Sequence, residues 1–155
     1  MECATCSSYP VMKHVERHHS KHKPGQIFDL VADVERYPEF LPWVLSARVV
    51  RRKDKTIWTD LAMGTTLLRK HFTTVAQLDR PHRIEISSHD PMFERFEMAW
   101  SFERDREGGT DIEYQVDFRF KSHILQALVG ASLAERSRTM VKAYVREAQR
   151  LYPKR

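Results

Sequence analysis

The sequence predicts an α+β domain in which one curved antiparallel sheet wraps around a long C-terminal helix. Three observations carry this reading. Residues 111–120 alternate without a fault: Ile112, Tyr114, Val116, Phe118 and Phe120 face one way, and Asp111, Glu113, Gln115, Asp117 and Arg119 the other. An antiparallel sheet with one covered face and one wet face produces this pattern. Most of the chain from Val44 onward reads as strands, and from Ser122 to about Leu151 the pattern turns helical. That terminal helix must cover the apolar face of the sheet, and a long twisted sheet wraps around it instead of lying flat.

Each element has its own local signal. Residues 13–20 form a short strand. Pro24 suits the first position of a helix, where its missing N–H costs nothing. Ile27, Phe28, Val31 and Val34 then follow at helical spacing, giving a helix over 24–34. Pro38 and Pro42 within Tyr37–Trp43 dictate a helical turn or tight loop. Strands over 44–53 and 55–63 join near Lys53-Asp54. A longer strand over 65–78 carries Leu68, Phe72, Ala76 and Leu78 on one side. Turns at Arg80-Pro81 and Asp90-Pro91 bracket a strand over 82–89. Phe96, Met98, Trp100 and Phe102 alternate in the next strand, and Gly108-Gly109 is a hairpin signal. Ser122 is a suitable N-cap for the final helical stretch. There Leu133, Met140, Val141, Tyr144, Ala148 and Leu151 share one face, while Ile124, Leu125, Leu128 and Val129 point about 120° away. Gly130 lies at the changeover, so the helix is expected to break or kink there.

The chain has 155 residues, enough for one core. Residues 13–155 are read as the domain and residues 1–12 as a flexible leader. Met12 offers an internal start that would leave residues 1–11 outside the native chain. Eight Phe, five Tyr and three Trp exclude a disordered polyelectrolyte. No run approaches the roughly 18 apolar residues needed to cross a bilayer, and no signal-peptide core follows Met1. A cytoplasmic protein is expected, with a peripheral place at the inner membrane. The net charge is +5, but residues 121–155 hold eight Lys and Arg against two Glu, a net of +6, which leaves residues 1–120 at −1. The excess therefore concentrates in the terminal helix, where Arg138, Lys142, Arg146 and Arg150 form a stripe. Such a stripe is a solvated helix face or a contact for anionic headgroups or RNA phosphates.

The sequence shows no catalytic constellation. A nucleophile elbow, a Gly-rich phosphate loop and a His-Glu-x-x-His motif are all missing. Four of the eight histidines fall within residues 14–22 and read as solvated; His71, His82, His89 and His123 are scattered singly. Cys3 and Cys6 precede His14 and His18, but seven residues between the pairs are too few for a zinc finger. No metal site and no obligatory cofactor are expected.

The segment Phe28-Asp29-Leu30-Val31-Ala32-Asp33-Val34-Glu35-Arg36-Tyr37-Pro38-Glu39-Phe40-Leu41-Pro42-Trp43 closely resembles the coenzyme Q-binding START-domain family. That family also includes ribosome-association toxin proteins and is often labelled polyketide cyclase/dehydrase. Trp100-Ser101-Phe102 and Thr110–Ser122 match as well, so the resemblance covers about Lys13 to Leu151. It departs from the family pattern at Val44, where Cys is common, at Lys23-Pro24-Gly25 and at Asp90-Pro91-Met92-Phe93. The resemblance implies the helix-grip START-like fold and a hydrophobic ligand, typically ubiquinone or a related polyprenyl lipid, between sheet and helix.

Candidate wall residues are Phe28, Val31, Phe40, Leu41, Pro42, Trp43, Phe72, Trp100, Phe102, Phe118, Leu125, Leu128 and Leu133. Each also suits an ordinary core. Trp43 and Trp100 are the sharper candidates, because a quinone carbonyl at a pocket mouth accepts from an indole N–H. Residues 124–129 read as a lid, as a membrane-dipping element, or as a segment packed on the first helix. The leading expectation is a chaperone for a prenyl quinone in support of respiration, with peripheral contact to anionic membrane. The alternatives are a toxin-like protein that binds the large ribosomal subunit and blocks subunit association, and, more weakly, a polyketide cyclase/aromatase. DNA is not among the expected partners.

Overall fold

A computed structural model describes residues 12–64 and 69–153. Cys3, Cys6, Leu68, Lys154 and Arg155 lie outside the described residues, as does the leader up to residue 11.

Seven strands form a single sheet: β1 (Met12–Ser20), β2 (Val44–Lys53), β3 (Thr56–Gly64), β4 (Arg69–Asp79), β5 (Arg83–Ser87), β6 (Phe93–Arg104) and β7 (Thr110–Phe120). Their spatial order is β1-β7-β6-β5-β4-β3-β2, with every neighbouring pair antiparallel. Bulges interrupt β2 near Leu45 and Val50, and β6 near Glu94. Gly108, at φ 89°, turns the chain between β6 and β7. Gly109 lies so close to β1 that a Cβ there would sit 2.5 Å from the Ser20 carbonyl oxygen.

Helix α1 (Pro24–Ala32) opens with Pro24 in its first turn, and Gln26 Oε1 accepts the Lys23 N–H at 3.0 Å. It is shorter than the expected 24–34, because Val34–Arg36 tightens into a single 3₁₀ turn leading into the four-residue helix α2 (Tyr37–Phe40). The terminal helical region is two helices, α3 (His123–Gly130) and α4 (Leu133–Leu151). Ser122 Oγ caps α3 by accepting from Leu125 N at 3.2 Å. The break falls at Gly130, where the two apolar faces disagree.

The first histidine cluster differs from expectation at one position. His22 is buried: it contacts Ser20 Oγ at 3.2 Å and the Tyr152 carbonyl oxygen at 2.7 Å, tying β1 to the end of the chain. His14 pairs with Glu16 at 2.9 Å.

Candidate ligand-binding cavity

The inner face of the sheet is filled unevenly. Helix α1 packs against β5 and β6. Phe28 meets Phe102 edge-on at 5.9 Å, and Ile27, Leu30, Val31 and Ile84 are fully buried around them. This half is solid core. Toward the other end of the sheet, where β3 and β7 finish and β4 and β6 begin, the strands are spanned by α3 and the first turns of α4. There they enclose a cavity of about 460 Å³.

Trp100, 1% exposed, forms the floor with three tyrosines. Its ring centroid lies 4.8 Å from that of Tyr114 and 5.1 Å from that of Tyr144, and Tyr144 stands edge-on to Tyr37 at 5.5 Å. The Tyr144 hydroxyl donates to that of Tyr37, which donates to the Val31 carbonyl; Tyr114 bonds Ser137. Burial raises the pKa of all three phenols, so the floor presents neutral hydroxyls. The walls are apolar. Phe93 meets Phe72 at 5.1 Å, Phe96 at 4.9 Å and Phe120 at 5.1 Å. Thr59 and Thr74, cross-strand partners, add two hydroxyls midway. The mouth is bordered by Leu128 on α3, by Lys70 and by Arg136, all exposed. Ile124 beside it is 73% exposed and Leu128 58%.

Residues 20–145 match the family model described as "Polyketide cyclase / dehydrase and lipid transport". The chain belongs to this family. It is 30% identical over 126 residues to a "Ribosome association toxin RatA" of Pseudomonas aeruginosa, covering 81% of this chain and 88% of that protein. It is 27% identical over 137 residues to the mitochondrial "Coenzyme Q-binding protein coq10" of Schizosaccharomyces pombe, covering 83% and 81%. A START superfamily protein from Mycobacterium smegmatis shares the fold, with a TM-score of 0.73 at 16% identity over 90% of this chain and 98% of that one. The architecture is thus the helix-grip START-like fold of this family.

Within that frame Leu41, Trp43, Phe72, Trp100, Phe118, Leu125, Leu128 and Leu133 line the cavity. Five of the expected wall residues do not. Phe28, Val31 and Phe102 belong to the solid half under α1. Phe40 packs behind the floor, 5.3 Å from Tyr144 and 6.1 Å from Tyr37, and Pro42 is exposed. Trp100 sits at the floor, not at the mouth. The polar lining, Tyr37, Thr59, Thr74, Tyr114, Ser137 and Tyr144 with Lys70 and Arg136 at the rim, was not singled out from sequence. Tyr114 and Tyr144 did stand on the predicted inner faces; their hydroxyls were the signal available.

The basic stripe also changes. Arg138, Lys142 and Arg146 are exposed, with no ion pair among the described residues. Arg150 instead binds Glu147 at 2.6 and 3.0 Å. At the β6–β7 hairpin and the end of β1, His19, Asp105 and Asp111 bring three ligand-type atoms within 4.8 Å of one another. Asp105 Oδ1 accepts from the Glu107 and Gly109 N–H groups there, at 2.8 Å each, so the carboxylate caps the hairpin turn. No helix among the described residues is long and apolar enough to cross a membrane.

Proposed function

We propose that the chain binds a hydrophobic lipid in this cavity, most favourably the head of a polyprenyl quinone such as ubiquinone, and acts as its chaperone in support of respiratory electron transport. The observation that carries the reading is an apolar enclosure of about 460 Å³ ending on neutral hydroxyls. A methylene takes about the volume share of a water molecule, ~30 Å³, so the space holds on the order of 15 heavy atoms. That is a quinone head and the start of its tail. The rest of a long tail leaves through the mouth past Leu128, and the cavity does not select tail length. Carbonyls of the head would accept from the Tyr114 hydroxyl of the floor or from the threonines of the wall, since the Tyr37 and Tyr144 protons are already donated. The relative named as coenzyme Q-binding supports the same ligand.

Exposed Ile124 and Leu128 beside Lys70 and Arg136 suit contact between the mouth and an anionic bilayer surface, from the cytoplasmic side, during loading. The test is organic extraction of protein purified from its native host, followed by mass spectrometry. A quinone in near-stoichiometric amount is expected; an extract without prenyl lipid overturns the reading.

A second reading is association with the large ribosomal subunit, favoured by the 30% identity to a ribosome association toxin and by the unpaired Arg138, Lys142 and Arg146. Co-sedimentation with the large subunit, lost when these three become Ala, would establish it. A cyclase is disfavoured: the acid–base groups on the cavity floor are phenols with raised pKa, unsuited to act as a base near neutral pH.

A further inference from the structure

The geometry points to a second binding surface, the β2–β3 hairpin, as a docking site for looped, single-stranded RNA. Residues 48–55 contain Arg48, Arg51, Arg52, Lys53 and Lys55 against a single acid, Asp54. Along β1, β5 and β6 the outer-face arginines are neutralised, whereas Arg69 at the start of β4 has no ion pair among the described residues. Arg17 holds Glu113 at 3.0 Å, Arg83 holds Glu85 at 2.7 Å, and Arg95 holds Asp117 at 2.8 Å. None of the hairpin cations has an ion pair among the described residues. Arg52 turns to the groove of Asp29, Asp33 and Glu35, and Arg48 lies across from Asp60. The free charge is therefore that of Arg51, Lys53 and Lys55.

Arg51 and Lys53 stand at alternate positions on the outer face, across from Trp58 and Thr56. The Arg51 guanidinium lies over the Trp58 ring, 4.6 Å from its centroid. This stack pre-orders the guanidinium and leaves its far face open to a splayed base, while its N–H edge and the two lysines reach phosphates. A membrane supplies no base for that stack. Nor does the hairpin serve lipid loading at the mouth. Val44 lines the cavity, and Lys53 is nine residues farther along β2, about 30 Å at strand rise. That is several screening lengths at physiological salt. The surface is independent of the lipid reading.

The experiment is fluorescence anisotropy of the full chain against a labelled hairpin RNA with an unpaired loop, over a salt series. Duplex DNA and phosphatidylglycerol vesicles are run in parallel. The R51A/K53A/K55A variant is expected to bind the RNA at least tenfold more weakly at low salt, with the salt slope reduced by about 2–3. K53R/K55R should bind like the parent. Bound lipid and Tm should not change, since the three side chains are exposed. The proposal is overturned if the parent binds no RNA, or if R51A/K53A/K55A keeps the parent affinity and slope. It is equally overturned if duplex DNA or vesicles lose as much as RNA does. If the variant keeps its RNA binding and instead self-associates, the cations only protect a sheet edge.

Discussion

The Arg36 guanidinium lies 2.5 Å from the Glu147 carboxylate, and the same carboxylate holds Arg150 at 2.6 Å. One buried acid thus fastens the last helix to the turn after the first. That bond anchors the C-terminal half of α4, while its first turns, with Leu133, Ser137 and Met140, lie over the cavity.

Glu147 makes stability depend on pH. Its hydrogen bond from Arg150, then the one from Arg36, hold its carboxyl below the ordinary 4.5. A depressed folded pKa contributes stability above the unfolded value and loses it as pH falls through the folded one. Glu147→Gln should cost about 1–2 kcal/mol at neutral pH, and the difference from the parent should shrink below about pH 4.5. Urea denaturation across that range measures both.

Thr74 points into the cavity from the middle of β4. Thr74→Phe should fill space where a ligand lies without straining the packed core, and lower extracted lipid at least tenfold, about 1.4 kcal/mol. An unchanged lipid content with an unchanged fold would place the ligand elsewhere.

Ile124 and Leu128 are exposed on α3, so changing them costs the fold little. Burial of each such side chain is worth about 1.5–3 kcal/mol. Ile124→Asp with Leu128→Asp should therefore reduce partitioning onto anionic vesicles more than tenfold in a flotation assay, while Tm stays near the parent's.

The β6–β7 hairpin separates two glycine requirements. Gly109→Ala would drive a Cβ onto backbone at Ser20 and should cost about 1–3 kcal/mol. Gly108→Ala meets no neighbour and suffers only from φ 89°, so about 1 kcal/mol is expected. Thermal denaturation of the two variants distinguishes steric from conformational cost.

Much of the fold was readable in one dimension. Strand alternation from Phe96 to Phe120 named the inner face, and the mismatch between Leu125/Leu128 and Val141/Tyr144 located the break at Gly130. Both are periodicities, and a periodicity is carried by the chain itself. Which apolar residues border space, and which fill it, is not periodic. Phe102 and Trp100 alternate on the same strand face, yet Phe102 is sealed under Phe28 and Trp100 floors a cavity. The difference lies in where α1 comes to rest along β5 and β6. Arg150 shares the spacing of Arg138, Lys142 and Arg146 and is exposed like them, but Glu147, held in place by Arg36 from a turn more than a hundred residues earlier, pairs its charge. The amino-acid order alone thus specified the sheet, its covered face, the broken terminal helix and the family. The cavity, its hydroxyl floor and the truly unpaired cations came from the packing of distant segments, because void and charge pairing are properties of what lies opposite a residue in space.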